Sequence, residues 1–319
     1  MKTVLMFSGQ GSQYFHMGRA LYASDPIFKE HLDLSFEILK DYLPDPSNTL
    51  FDPLKKKSDP FQNLLQTHPL LFSIQLALGK TLLHHGLRPD LLLGYSLGEL
   101  VAETLAGVLT GEAALRFSVF QAEAVESGTE PALMIAALEA AENLGSVPPF
   151  AGRHWAGRNF SKHSVWTFPR EVAGEAQRVL AQRGISHQVL PVERGFHSPM
   201  ILPAREAVVN EAGGLQRNAP GTPIFSAFLG RRLETEWRSS AHEWDVLEGP
   251  VDFQGAIQNL ESEGPWHYID AGPSGTLANF VKYLLPKPAA SKTSVLMTPY
   301  GREVTDLPAF IKEVLSDRT

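Results

Sequence analysis

Cysteine is absent from the 319 residues. That excludes disulfides, thiolate metal sites and a cysteine nucleophile, so any covalent catalysis has to use another side chain. Positive charge is the second scarcity: 28 Lys and Arg stand against 35 Asp and Glu, a formal net charge of −7. This is the wrong sign for a chain whose main partner is a nucleic-acid backbone. Long apolar runs are missing too. No stretch approaches the ~20 residues that a membrane span needs, and Ser8-Gly9 interrupts the N-terminal run Val4 to Phe7 before it could form a signal-peptide core. A metal pair is not expected from His84-His85, because adjacent helical residues point to different faces. The expectation is a cytoplasmic protein with no metal, membrane or nucleic-acid partner.

What is present is ample core material. Hydrophobic residues make up 43% of the chain, and 26 Gly and 23 Pro are scattered rather than gathered in tracts, enough for one large core and a smaller one. Thr3 to Phe7 predicts a buried strand that feeds a turn-rich segment, Ser8 to Gln13. Helical spacing runs from Leu21 to Leu43, and Lys55-Lys56-Lys57 with Pro60 reads as a solvated connection. A buried helix from Pro69 to His85 follows, then Leu91-Leu92-Leu93 as a buried strand and a bend, Gly94 to Glu99, into a helix from Leu100 to Leu109. Between 129 and 199 three short strands are expected, at 134–138, 164–168 and 186–190, with a helix from Arg170 to Arg183. After Pro199 come strands at 223–227 and 266–270 and a glycine turn, Ala271 to Gly275, that enters another helix. Strands alternating with helices predict an α/β core with a mainly parallel sheet over 1–128 and 200–319. The segment 129–199 reads as a small inserted α+β subdomain.

Gly94-Tyr95-Ser96-Leu97-Gly98 fits the G-x-S-x-G pattern, in which small residues permit a strained strand-to-helix turn that lifts a serine hydroxyl clear of the backbone. The leucine triplet before it and the helix after it are the setting that chemistry needs, with the Leu97 N–H aimed at a developing oxyanion. Such a serine requires a base within hydrogen-bond reach. His197, in Gly195-Phe196-His197-Ser198-Pro199, lies where the chain re-enters the main sheet and is placed to face a cleft between the two parts.

Together with Gly9-Gln10-Gly11-Ser12-Gln13, these two motifs resemble the malonyl-CoA:acyl-carrier-protein transacylase family and the acyltransferase domains of polyketide synthases. The likeness covers essentially the whole chain and includes Asn159, Pro250-Val251-Asp252-Phe253 and Asp270-Ala271-Gly272-Pro273 in order. The resemblance implies a hydrolase-like core with a ferredoxin-like subdomain. It implies Ser96 as acylated nucleophile, His197 as its base, the Gln10 and Leu97 N–H groups as oxyanion hole, and the Asp252 main-chain carbonyl as the group that orients His197. It also implies acyl carrier protein domains of a polyketide synthase as partners. Their phosphopantetheine arm carries the acyl group, and no further cofactor is needed.

Three positions depart from the family pattern. Gln121 stands where transacylases that use malonyl groups carry an arginine for the free carboxylate, and Arg116 lies about 140° away around the helix. A carboxylate facing a neutral amide loses its charge-assisted pair. Tyr95 replaces the usual histidine beside the nucleophile, and Arg194-Gly195 precede Phe196 where specificity residues lie, so Gln121, Tyr95 and Phe196 are the expected acyl contacts. Proteins with Gln at the arginine position resemble the stand-alone acyl hydrolases of trans-acyltransferase polyketide pathways. Release of neutral acyl groups from carrier thioesters is thus the expected function. Transfer of acetyl or another neutral acyl unit, and a catalytically silent carrier-docking module, are the alternatives. Arg153, Arg158 and Lys162 are expected to form a basic docking patch for an acidic carrier.

Overall fold

The structure is a computed structural model that describes residues 1–153, 155–300 and 303–316. Its centre is β1 (Lys2–Phe7), an apolar run with no polar alternation because both its faces are covered. Leu5 and Phe7 enter one core cluster, and Val4 and Met6 another on the opposite face. β2 (Leu91–Gly94) divides in the same way, Leu92 to the first and Leu91 and Leu93 to the second. Among the described residues the main sheet runs β11 (Lys292–Val295), β10 (Trp266–Asp270), β1, β2, β7 (Ile224–Ser226), β8 (Arg231–Arg232). Every pair is parallel except β7 with β8. The buried helix Leu64–His84 lies in the first cluster, and the helices Phe253–Glu261 and Thr276–Leu284 cover the second.

The expected helix from Leu21 to Leu43 is two helices, Arg19–Ser24 and Pro26–Leu39. Pro26 has no N–H to continue the first helix, whereas at the first position of the second none is required. The Asp25 carboxylate caps that second helix by accepting from Ile27 N and Phe28 N at 2.9 and 3.0 Å.

A second sheet holds β6 (His187–Val189), β3 (Ala132–Ala137), β5 (His163–Pro169) and β4 (Trp155–Phe160) in that order, all antiparallel, with β9 (Val251–Asp252) parallel to β4. Within this segment the order is fourth, first, third, second, and the helix Arg170–Gln182 packs Ala173, Ala176 and Leu180 against Trp166 and Phe168. This is the ferredoxin-like unit beside the hydrolase-like core. Its strand β4 was not among the three expected, because register shifts on either side of Gly157 and Arg158 break the alternation that marks a strand. Among the described residues no helix is long and apolar enough to cross a membrane, and no group of side chains is placed to hold a metal ion.

Candidate active site

Ser96 stands between β2 and the helix Leu97–Leu105 at φ 55° and ψ −125°, backbone angles that non-glycine residues rarely adopt and that must be enforced by the surroundings. Close approach enforces them. A Cβ on Gly98 would lie 2.0 Å from the Phe7 carbonyl oxygen and one on Gly94 2.3 Å from Glu99 Cα, so the helix starts flush against β1 and β2. Leu97 is its first residue, and its N–H has no intrahelical acceptor.

His197 also has a positive φ, 57°. Its backbone N–H donates to Leu247 O and its ring Nδ1–H to Gly249 O, both at 2.8 Å. The second bond fixes the tautomer and leaves Nε2 as an acceptor, 2.9 Å from Ser96 Oγ. Burial drives the imidazole pKa down to about 4, with Gly249 O opposing the shift, so at neutral pH the ring is uncharged and can take the serine proton. The carbonyl that orients the ring therefore belongs to Gly249 and not to Asp252. Gly249 leaves the helix His242–Glu248 in an extended conformation, which turns its carbonyl towards the ring. Asp252 is otherwise engaged: its carboxylate caps the helix Phe253–Glu261 through Gly255 N at 3.1 Å and pairs with Arg158.

The Gly9–Gln13 loop is pressed onto Ser96. A Cβ on Gly9 would lie 2.8 Å from Ser96 Cβ, a spacing that only glycine permits and that brings the Gln10 backbone beside the serine. Gln75 brackets the loop, accepting from Ser8 N at 2.7 Å and donating to Ser8 O at 2.9 Å. Gln13 ties it to Phe61 O and Pro191 O.

A pocket of about 40 Å³ adjoins Ser96 and His197, lined by Gln10, Tyr95, Met134 and Phe196 among others. Its polar wall is His68, which the sequence reading passed over. Gln10 Nε2 donates to His68 Nδ1 at 3.2 Å, so the ring proton sits on Nε2, directed at Gln121 Oε1 at 3.4 Å. The ring lies parallel to Phe196, centroids 6.1 Å apart, and burial lowers its pKa to about 4. Gln121 is thus one layer behind the pocket wall, and its side chain lines a separate cavity beneath Ser96. The available signal was a histidine just before Pro69 at the head of an apolar helix, since a buried polar ring must find partners. Arg116 points away to Glu112, Asp41 and Tyr42, and Arg194 is held by Glu126.

A channel of about 240 Å³ between the two sheets leads to the same Tyr95 and Gln10. Tyr95 Oη donates to Asn159 Oδ1 at 3.1 Å, and Asn159 Nδ2 donates to His163 Nδ1 at 3.1 Å, a chain that joins the Gly94–Gly98 turn to the small sheet. Of the expected basic patch, Arg158 is committed to Asp252 and Glu142, and Arg153 lies over the Phe168 ring while bonding Pro149 O. These engagements withdraw Arg158 from a free docking role, whereas Lys162 occupies the exposed turn between β4 and β5.

The sequence profile of the acyl transferase domain matches residues 4–317. The chain is 35% identical over 316 residues to the polyketide biosynthesis acyltransferase homolog BaeD of Bacillus velezensis, covering 98% of this chain and 97% of that one. To the homolog PksD of Bacillus subtilis it is 33% identical over 306 residues, with 95% and 94% covered. Among solved structures, the acyltransferase domain from the second module of the salinomycin polyketide synthase superposes with a TM-score of 0.83 at 26% identity, covering 98% of this chain and 72% of that one.

Proposed function

The chain belongs to the acyl transferase domain family, and on that premise we propose that it is a serine-dependent hydrolase that removes non-carboxylated acyl groups from acyl carrier protein thioesters in polyketide biosynthesis. The observation that carries the reading is the neutral wall of the pocket beside Ser96. His68 is uncharged at pH 7, Gln121 backs it with an amide, and no guanidinium lines the pocket among the described residues. A carboxylate buried there would lack a cation, at a cost of several kcal/mol.

In the first half-reaction Ser96 Oγ bonds to the thioester carbon as its proton passes to His197 Nε2. The Gln10 and Leu97 N–H groups receive the oxyanion, and the Gly249 carbonyl steadies the imidazolium through Nδ1–H. Collapse breaks the C–S bond, and His197 returns the proton to the departing carrier thiol. In the second half-reaction His197 takes a proton from water as its oxygen bonds to the ester carbon. Collapse releases the free acid and reprotonates Ser96. The channel of about 240 Å³ would admit the carrier's pantetheine arm.

The test offers carrier-bound acyl thioesters of several lengths together with a second, unloaded carrier, and follows free acid and acyl transfer at once. Rapid free acid with little transfer is expected. Transfer that outpaces acid release would make the protein an acyltransferase for neutral units instead.

A further inference from the structure

Beneath the nucleophile lies a second cavity of about 20 Å³ that the proposed chemistry leaves unused, lined by Ser96, Gln121, Glu99, Glu103, His242 and Glu243 among others. Glu99, Glu103, His242 and Glu243 are each more than nine-tenths buried. Glu99 and Glu103 come from the nucleophile helix Leu97–Leu105, and His242 and Glu243 from the helix His242–Glu248. Arg217, beyond the helix Arg205–Gly213, closes the cluster by pairing with Glu243. His242 Nε2 lies 3.4 Å from Glu99 Oε2 and 3.7 Å from Glu103 Oε1, without a directed hydrogen bond to either. Glu103 Oε2 and Glu243 Oε2 are buried and accept no hydrogen bond, and His242 Nε2 and Glu99 Oε2 meet only in that long ion pair. Buried polar atoms do not remain without a hydrogen bond at equilibrium, and the cavity holds about one water-sized sphere.

The two helices bridged here are those that set the dyad. One begins at Leu97, directly after Ser96. The other supplies Leu247 O and ends at Gly249, whose carbonyl holds His197 Nδ1. Glu99 Oε1 also accepts from Ser226 Oγ at 2.7 Å and from Phe228 N at 3.2 Å, which fixes the first helix to β7.

We propose that Glu99, Glu103, His242, Glu243 and Arg217, with one internal water in the cavity between them, are positioning residues that clamp the nucleophile's helix to the helix carrying the anchors of the base. The proposal rests on the reading of Ser96 and His197 as an acylating dyad. Charge supports it. Burial lowers the His242 pKa, but Glu99, Glu103 and Glu243 outweigh it and raise it to about 9. Burial, and then Glu243, raises Glu103 to about 8. Both shifts favour a protonated His242 and a protonated Glu103 within the cluster. Loss of the Glu103 proton at alkaline pH adds negative charge to the cluster beneath the carbon where the oxyanion develops.

The test measures acylation of Ser96 by S-acetyl-N-acetylcysteamine across pH, together with the His197 Nδ1–H resonance by NMR, in the full chain and two variants. His242→Leu is expected to lower the acylation rate at saturating thioester 10- to 100-fold, with the half-saturating concentration within about twofold, and to shift the His197 resonance. Glu103→Gln, which copies the protonated carboxyl, is expected to reduce the alkaline fall in rate. Wild-type acylation and resonance in His242→Leu would overturn the clamp, and so would an unchanged alkaline fall in Glu103→Gln, which decides the matter even if His242→Leu does not fold. A wild-type protein that acquires no acetyl group refutes the acylating dyad instead, and the resonance comparison then still decides the clamp.

Discussion

Ser96 and His197 are two of the three non-glycine residues with positive φ among the described residues, so the strained backbone of this protein is concentrated where the hydroxyl and the imidazole meet. Ser96→Ala is expected to abolish acyl loading, and His197→Ala to lower it by about 10²–10⁴-fold. Both are read by intact mass after exposure to thioester. Because burial holds His197 near pKa 4, the base stays neutral well below the ~6.5 of an ordinary histidine. Loading should therefore persist at pH 5 and fall only near pH 4, and a midpoint at 6.5 would contradict this account of the site. The pocket wall yields a third prediction. A guanidinium introduced by Gln121→Arg lies behind His68 and beside the buried Glu99, Glu103 and Glu243 side chains, so the single variant should gain no malonyl loading. Only with His68→Ala added should a malonyl adduct become detectable.

At the scale of the element, the loop Gly9–Gln13 acts by proximity. Gly9→Ala must push its Cβ away from Ser96, 2.8 Å distant, and so displace the Gln10 N–H. Acylation should fall about 10- to 100-fold, the order expected for a weakened oxyanion donor, while the urea midpoint moves little. A normal rate in Gly9→Ala would remove that N–H from the mechanism. The elements most readable in the sequence were those with one physical signal and no competitor. β1 and β2 are apolar runs covered on both faces, and the turn at Ser96 is marked by two glycines that only backbone contact explains. β4 was hidden by its irregular register, the first helix pair by the overriding of helical spacing at Asp25-Pro26. Ser96 and His197 were legible through their motifs. His68 and Gly249 were not, because a buried ring's partners and a carbonyl's direction depend on chain segments 50 or more residues away.

For the whole molecule, buried titratable groups set opposing limits on stability. His68, His163 and His197 are each pushed to about 4, burial being the main cause. As pH falls below about 6.5, the unfolded chain takes up protons that the native one does not, and stability declines. Asp270, raised by burial to about 6, and Glu103 act in the opposite sense, holding native protons that the unfolded chain has released. Three groups against two leave a net acid loss. Above pH 7 those three histidines no longer differ between states, while Glu103, raised by burial, and His242, near 9, surrender native protons, so stability declines again. The urea midpoint should peak between about pH 6 and 7 and be lower at 4.5 and at 9; a profile flat over that range would contradict these assignments.

The central claim, a dyad that accepts neutral acyl groups and passes them to water, is tested most directly by mass. The protein is mixed with equal amounts of acetyl and malonyl thioester, and the adduct on Ser96 is followed with time. The account predicts an acetyl adduct that forms, decays and leaves free acetate, with malonyl scarcely loaded. Efficient, persistent malonylation of Ser96 would contradict it.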